Sequence, residues 1–226
     1  MPGALDTEPP LTGAGEPITE AEAIRRLRQT EDQSLQYYAA WWLGKMRSHH
    51  PDTVPLLLQA LQQRQPREAD AGVEHNAVAR NAARALGKVG DQSVVPELLE
   101  ALADEDDGLR EAAARALGEL GAKAAVLPLC ERLASGPTGA GACRANSPKL
   151  QEPCEALIEA LGDIGVAEER VTATITPFLH HDRPLIRSAA ARALLQLTGD
   201  PVWGDHLLPL LDHPQLQVRQ IGRAHV

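Results

Sequence analysis

The chain concentrates its aromatic side chains in one short segment. Four of its six aromatic residues lie in SLQYYAAWWLGK, residues 34–45, at Tyr37, Tyr38, Trp41 and Trp42. Side chains spaced i, i+1, i+4 and i+5 cover a broad stripe of one α-helix. Flat apolar rings on such a stripe offer a surface on which a conjugated or apolar ligand could stack.

Two arginines, Arg80 and Arg84, lie one helical turn apart in a later segment that has the same frame. A guanidinium group offers a planar fork of donors that matches a carboxylate. Rings bordered by guanidinium groups therefore suit a planar ligand that carries carboxylates. The alternative also stands, because arginines on helix surfaces are commonly only solvated.

Motifs of conventional catalysis are missing from the chain. It contains no G-x-S-x-G turn, no P-loop and no G-x-G-x-x-G turn before a helix. A helical-repeat metal centre would need recurring His-Glu dyads, and the sequence has no His-Glu pair. We therefore expect no metal site and no resident cofactor.

The aromatic and basic residues belong to an internal repeat. The segments ARNAARALGKVGD and REAAARALGELGA match almost position for position, and related segments bring the visible copies to five. Each copy has an Ala-rich stretch ended by Gly and then a second stretch opened by Pro. The opening prolines are Pro55, Pro96, Pro128 and Pro177.

Each copy is interpreted as a helical hairpin that cannot bury its Ala and Leu face alone, so neighbouring copies must stack. The sequence therefore predicts an all-α fold, an α-solenoid of HEAT-like helical hairpin repeats. A curved array of this kind supplies a long groove. Two insertions between copies, residues 62–75 and 135–148, are predicted to be loops.

Alignment of the copies on the Leu before the Gly shows where the rings lie. The position six before it holds Tyr37, Arg80, Glu111, Glu155 and Ser188. The position two before it holds Trp41, Arg84, Arg115, Glu159 and Arg192. Both positions are polar in the later copies, which predicts a solvated face, and only the first copy places rings there.

A large side chain left in water forgoes roughly 1.5 to 3 kcal/mol of burial, so something should cover these rings. One candidate is an N-terminal helix folded back as a cap, and the other is a flat ligand. Tyr38 and Trp42 occupy positions that hold Asn or Ala in later copies, and we interpret them mainly as core or cap residues.

Two further arginines, Arg110 and Arg187, recur in one column and are assigned to hydrogen bonds between repeats. Acidic residues that can cap helices or pair with these arginines precede them. They are Asp104, Asp106, Asp107 and Asp182.

Composition limits the possible partners. A formal net charge of −9 and a pI near 5.4 argue against nucleic acid. The chain has no long apolar run and no signal peptide, which predicts no membrane insertion. Three cysteines without metal-like spacing suit a reducing compartment, so we expect a cytoplasmic protein with free thiols, of which Cys143 is the most exposed.

The domain organisation follows from these patterns. Residues 1–16, rich in Pro and Gly, are predicted to be a disordered tail. Thr19 followed by Glu22 forms a capping-box pattern, which predicts an N-terminal helix. The repeat array is expected to span residues 17–220 with five to six repeats.

The residues also identify a family. PITEAEAIRRLRQTEDQSLQYYAAWWLGKMR and PFLHHDRPLIRSAAARALLQLTGD closely resemble the E subunits of the E/F-type phycobilin lyases, which are HEAT-like proteins of cyanobacteria. The resemblance runs from about Pro17 to Arg219. The YYAAWWLGK string is its specific part, whereas the Ala-Leu-Gly helices are generic.

The resemblance implies a function. Such a subunit works with an F-type partner to attach a linear tetrapyrrole, a phycobilin, to a cysteine of an apo-phycobiliprotein through a thioether. The bilin is then a substrate and the acceptor supplies the nucleophile. The implied bilin-binding residues are Tyr37, Tyr38, Trp41, Trp42, Arg80 and Arg84. Glu111 and Glu155 are candidates to pair with pyrrole nitrogens or to donate a proton.

Two points qualify this interpretation. Members of the family continue through another repeat or more, so the array is expected to be truncated at its C-terminal end, and IGRAHV, residues 221–226, is expected to be a non-native tail. The alternative function is a non-catalytic HEAT-repeat binding or scaffold protein, such as a phycobilisome-disassembly factor.

Overall fold

The computed structural model describes residues 18–65 and 76–208. Within these ranges the chain forms eleven α-helices joined by turns and four short 3-10 helices. The α-helices are α1 Glu20–Arg28, α2 Gln33–Lys45, α3 Thr53–Leu61, α4 Ala77–Val89, α5 Val95–Leu102, α6 Asp107–Glu119, α7 Val126–Leu133, α8 Gly136–Gly139, α9 Cys154–Ile164, α10 Glu169–Ile175 and α11 Pro184–Thr198. The 3-10 helices are Gln92–Val94, Lys123–Ala125, Thr176–His180 and Pro201–His206.

The helices form two layers. The first helices of the repeats, α2, α4, α6, α9 and α11, pack one against the next. The second helices, α3, α5, α7 and α10, form the other layer, and each packs on the first helix that follows it. Buried Ala and Leu side chains fill the space between the layers. The all-α solenoid predicted from the repeats is confirmed.

A column of glycines sets the distance between neighbouring first helices. The Gly that follows the aligned Leu lies inside the helix, as Gly44 in α2 and Gly87 in α4 show. A Cβ atom on Gly87 would lie 2.6 Å from the Cα of Ala116, so any side chain there would push α4 and α6 apart. The helix ends instead at Gly90, which adopts a φ of +87°.

The prolines predicted to open the second helices behave in two ways. Pro55, Pro96 and Pro128 lie in the first turn of their helices, where the missing N–H is tolerated. Pro177 does not open a second helix, since α10 ends at Ile175 and Pro177 lies in the following 3-10 helix. The last second helix is thus built from residues further upstream than the pattern predicted.

The N-terminal helix forms where the capping pattern predicted it. The side chain of Thr19 accepts a hydrogen bond of 3.2 Å from the backbone N–H of Glu22. Helix α1 packs on α2 and α3, and the buried amide of Gln36 donates to the Leu27 carbonyl across this contact. The predicted tail of residues 1–16 and the expected non-native residues 221–226 lie outside the described residues.

The second insertion is an ordered segment rather than a simple loop. We call residues 140–153 the strap. The buried guanidinium of Arg110 donates to the Gln151 carbonyl at 3.1 Å and to the Glu152 carboxylate at 3.0 Å. It also donates to the carbonyls of Asp104 and Glu105, so it ties the strap to the start of α6. This is the inter-repeat role predicted for Arg110.

Residues 66–75 of the first predicted loop lie outside the described residues. In residues 18–65 and 76–208, no helix is both long and apolar enough to cross a membrane.

Candidate functional site

A groove of about 590 Å³ lies on the outer face of the first-helix layer. It runs from α2 to the start of α11, and the strap forms one of its sides. A volume of this size is within the usual range for small-molecule sites. Five of the eight residues predicted from the sequence line it, namely Tyr37, Arg80, Arg84, Glu111 and Glu155.

Tyr37 supplies the aromatic surface of the groove. Its ring is half-buried, and the side-chain amide of Asn81 on α4 donates to the Tyr37 carbonyl at 2.7 Å. This bond fixes α2 against α4 at the point where the ring enters the groove. Tyr38 meets Tyr37 edge to face, with ring centroids 5.5 Å apart.

The other three aromatic residues of the cluster lie outside the groove lining. Tyr38 is 61% exposed and Trp41 is 44% exposed, and the ammonium of Lys45 lies 4.7 Å from the centroid of the Trp41 ring. Trp42 is half-buried against the core. The expectation that Tyr38 is a core or cap residue is therefore wrong, whereas it holds in part for Trp42.

The N-terminal helix and a flat ligand are the two candidates to cover the aromatic rings. Helix α1 packs against α2, yet it leaves Tyr38 and Trp41 exposed. In the described part of the chain, the N-terminal helix is thus not the cover for these two rings. Tyr37 is the ring that faces an open groove.

Arg80 has a partner within the chain that was not predicted. Its guanidinium makes a two-point contact with the buried carboxylate of Asp106, at 3.1 Å from Nε and 2.6 Å from Nη2. Gly108 allows this contact, because a Cβ there would lie 2.6 Å from Arg80 Nε. Part of its fork thus already holds the carboxylate that caps α6, and the predicted contact of Arg80 with a ligand carboxylate stays a prediction.

The same contact stabilises the ionised form of Asp106. Burial raises the pKa of this carboxyl, but hydrogen bonds from Arg80 and from the Leu109 N–H outweigh it and leave the pKa below its ordinary value. The lowered pKa favours the charged form of Asp106, which holds Arg80 in place.

Arg84 remains open to a ligand. Its side chain is half-buried and makes no hydrogen bond or ion pair with any residue in 18–65 or 76–208. Its neighbours in the same column of the stacked helices are Trp41 before it and Arg115 after it, so neither brings a carboxylate. The groove thus contains a partly desolvated guanidinium without an anion.

Arg115 organises the acidic part of the groove. Its guanidinium forms a close ion pair with Glu159 of α9, and Arg192 of α11 binds the same carboxylate. Arg115 also contacts Glu111 at 3.3 Å, whereas Glu155 is 3.9 Å away. Glu155 therefore receives the weakest share of the available positive charge.

This arrangement affects the protonation of Glu155. Burial raises the pKa of its carboxyl, and the nearby negative charges of Glu159 and Glu111 raise it further, against the opposing effects of Arg115 and Arg192. A carboxyl group with a raised pKa in a ligand groove is suited to donate a proton. Glu155 is the better placed of the two predicted acids.

The strap side of the groove was not predicted from the sequence. Lys149 and Arg183 line it, and Leu185 adds an exposed apolar side chain. The Lys149 ammonium lies 3.4 Å from the carboxylate of Asp107, and Arg144 lies 3.6 Å from it. Basic residues within a Gly-rich insertion were the available signal, but only the folded path of the strap brings them to the groove.

No thiol in the groove is ready to act as a nucleophile. Cys154 lines the groove, but burial raises the pKa of its thiol to about 12. Cys143, predicted to be the most exposed cysteine, is the exposed one of the three. The part of the chain that the structure describes also contains no group of His, Cys, Asp and Glu arranged to hold a metal ion. The groove can hold a planar acid and supply a proton.

The family comparisons agree with this architecture. The description HEAT repeats matches residues 69–145, and PBS lyase HEAT-like repeat matches residues 35–63. The chain is 49% identical to the bilin biosynthesis protein RpcE of Synechococcus sp. (strain WH8020), over 97% of this chain and 79% of that protein. It is 45% identical to the phycocyanobilin lyase subunit alpha of Synechocystis sp. (strain ATCC 27184 / PCC 6803 / Kazusa), over 95% and 75% of the two chains.

A solved structure of a similar protein has the same fold as this chain. In the complex of CpcE and CpcF of phycocyanin lyase from Nostoc sp. PCC7120, one chain is 39% identical with a TM-score of 0.81. The match covers 97% of this chain and 79% of that one. An engineered protein with 19% identity and a TM-score of 0.53 shares the fold alone.

Proposed function

The chain belongs to the family of phycocyanobilin lyase alpha subunits, as its sequence predicted, and from this premise we propose that the groove is its bilin site. The protein is the alpha, or E-type, subunit of a lyase that acts with a partner subunit on a linear tetrapyrrole. The names of the relatives support this reading and do not support the alternative of a non-catalytic scaffold or disassembly factor.

One observation carries the proposal for the site. Residues from separate repeats, Tyr37 on α2, Arg84 on α4 and Glu155 on α9, converge on one groove of about 590 Å³. A bilin is a conjugated chain of four pyrrole-type rings with two propionates, so an aromatic surface, a cation without a counter-ion and a proton donor match its three kinds of group. Tyr38, whose ring meets Tyr37 edge to face, and the exposed Trp41 lie on the same helix outside the lining.

The reaction is an addition, and it balances without a redox partner. The acceptor cysteine gives up its S–H proton, its sulfur forms a C–S bond to the ethylidene of ring A, and the ethylidene double bond is consumed. One proton is delivered to the pigment, so the net change is the addition of a thiol across a double bond. No metal or other cofactor takes part in this scheme.

The groove contributes by holding and protonating the pigment. Fixing the pigment in one pose converts the encounter with the acceptor thiol into an oriented reaction, which can supply a large share of the rate. Glu155 is placed to protonate the pigment or to pair with its pyrrole N–H groups, and Glu111 keeps Arg115 close to this end of the groove. The acceptor is an apo-phycobiliprotein, the partner is an F-type subunit, and the reaction takes place in the cytoplasm.

The test is co-expression of the full chain with an F-type partner, a bilin source and an apo-phycobiliprotein. Covalent colour on the acceptor is measured after denaturing electrophoresis. We expect Tyr37→Ala and Arg84→Ala, which each remove a side chain that lines the groove, to lower the yield severalfold. Lys88→Ala is the matched control, because Lys88 is an exposed cation one turn from Arg84 on the same helix and does not line the groove.

Two results would count against the proposal in different ways. Normal colouring by both variants would exclude the groove as the bilin site while leaving the family assignment intact. Binding of the chain to the assembled antenna protein without attachment of free bilin would favour a scaffold role.

A further inference from the structure

The cations of the groove divide into two groups according to their partners. Five cationic side chains line it: Arg80, Arg84, Arg115, Lys149 and Arg183. Three of the five are matched by carboxylates. Arg80 is paired with Asp106 at 2.6 Å, Lys149 with Asp107 at 3.4 Å, and Arg115 with Glu159 in close contact.

Among the residues that the structure describes, Arg84 has no carboxylate partner because of its position in the stack. The residues at the same repeat position in α6, α9 and α11 are Arg115, Glu159 and Arg192. Their charges alternate in sign, and they neutralise one another through ion pairs. Arg84 lies before this series, between Trp41 and Arg115. An indole and a second guanidinium cannot compensate its charge.

Arg183 lacks a carboxylate for a different reason. It is the residue just before α11, and its backbone N–H donates to Nδ1 of His181 at 2.9 Å, which fixes where the side chain starts. Its guanidinium donates to the carbonyl of Pro148 in the strap and approaches the sulfur of Cys143 at 3.6 Å. These are neutral partners, and no carboxylate of residues 18–65 or 76–208 lies within ion-pair distance of it.

We propose that Arg84 and Arg183 are the two carboxylate anchors of the groove, each receiving one propionate of the pigment. This inference rests on the proposed function and deepens it, because it makes the free dicarboxylic acid the form of bilin that the subunit selects. Both guanidinium groups are half-buried, so their attraction for an anion is screened less than at an open surface.

The two anchors stand on different elements. Arg84 is in the middle of α4, and Arg183 is at the start of α11, beside the strap. A pigment held at both points cannot turn end over end in the groove, so the same ring is always presented to the acceptor thiol. Such two-point fixation is the usual means by which binding energy is converted into orientation.

The test compares phycocyanobilin with its dimethyl ester. Both are titrated into the complex of the full chain with its partner subunit, and the change in pigment absorption gives the dissociation constants. We expect esterification to weaken binding to the wild-type complex by roughly ten- to hundredfold per anchor, as for a charge-assisted hydrogen bond. Arg84→Gln and Arg183→Gln should each reduce this difference, and the double variant should bind acid and ester alike.

Controls separate charge recognition from folding. Lys88→Gln removes a cation outside the groove and should keep the full preference for the acid. Arg183→Lys keeps the charge and should retain part of the preference, while resistance of the strap to trypsin shows whether it is still folded. A strap that becomes sensitive only in Arg183→Gln would show that this residue acts through the strap, which would overturn its assignment as an anchor.

The remaining outcomes each decide one point. Equal affinity of the wild-type complex for acid and ester would overturn the inference while leaving covalent attachment, and so the proposed function, standing. A preference that responds to Arg84→Gln alone would overturn the two-anchor arrangement. Failure of the wild-type complex to bind either form would remove the groove as the bilin site altogether.

Discussion

The carboxylate of Glu155 lies 3.9 Å from the guanidinium of Arg115, while Glu159, one turn further along the same helix, holds that guanidinium in close contact. Arg192 binds Glu159 from the other side. Both arginines thus bind Glu159, and little positive charge is left to stabilise the ionised form of Glu155. Burial and this uneven sharing explain why the pKa of Glu155 is raised.

The first prediction concerns the pH dependence of coupling. If Glu155 donates a proton, coupling requires its protonated form, so the rate falls as the pH rises through the raised pKa of Glu155. Glu155→Gln should lower the rate and remove this alkaline fall from the profile. Glu119→Gln is the control, because burial also raises the pKa of Glu119 but this residue does not line the groove. An unchanged profile in Glu155→Gln would exclude the role.

The second prediction tests the cause of the raised pKa. Glu159→Gln removes a negative charge next to Glu155 and releases Arg115 to pair with it. Both changes lower the pKa of Glu155, so the alkaline fall in coupling rate should begin at a lower pH. The measurement is the rate of thioether formation between pH 5 and 9. A shift to higher pH would contradict the charge-sharing explanation.

The third prediction concerns the glycine column. Gly87→Ala should lower the free energy of unfolding by about 1 to 3 kcal/mol, because its Cβ would meet the backbone of Ala116 at 2.6 Å. The measurement is urea denaturation followed by circular dichroism. Gly204→Ala should change little, since no atom lies within 4 Å of a Cβ at that position. Equal effects of the two substitutions would argue against close helix contact as the reason for glycine.

The fourth prediction concerns the attachment of the strap. Arg110→Met removes the donors that hold Gln151 and Glu152, which should cost about 2 to 4 kcal/mol and loosen the strap. Trypsin should then cleave faster after Arg144 and Lys149. The control is Arg187→Met, since Arg187 occupies the same column but donates to His181 and Asp182 instead of the strap. A strap that stays resistant in Arg110→Met must be held by other contacts.

The fifth prediction concerns the thiols. At pH 8 one thiol, that of Cys143, should react rapidly with Ellman's reagent in the folded protein, and two more should react on unfolding. Cys130 and Cys154 are buried, and burial raises the pKa of both thiols. Cys143→Ser should abolish the rapid phase. Rapid reaction of all three thiols in the native protein would contradict the packing around α7 and α9.

The sequence predicted the fold and the outline of the groove for one reason. Residues at the same position of stacked helices become neighbours in space, and the two polar positions lie one helical turn apart, so Tyr37, Arg84 and Glu155 could be placed on one face from the repeat alone. The pairing of Arg80 with Asp106 was not predicted, because the reach of this side chain depends on the spacing between α4 and α6. Contacts of glycine with the neighbouring helix set that spacing, and the sequence alignment does not show how close those contacts are.

The aromatic cluster was misjudged for a related reason. Asn81 occupies the column of Tyr38 and donates back to the Tyr37 carbonyl of the preceding first helix. Tyr38 has no first helix before it, only α1, and therefore stays exposed. Likewise Ala85 must be small because it meets Gly44, whereas Trp42, in the same column, has no such neighbour. Whether Tyr38 and Trp42 are buried therefore depends on their place in the first repeat, which has no first helix before it.

The first helices approach one another most closely where a Gly meets an Ala, as at Gly44 with Ala85 and Gly87 with Ala116, and none of these four residues lines the groove. Changes at the outward positions therefore alter which molecule the surface accepts and leave the framework intact. The specificity of the groove and the stability of the array are thus carried by different residues, so we expect the two properties to respond to different substitutions.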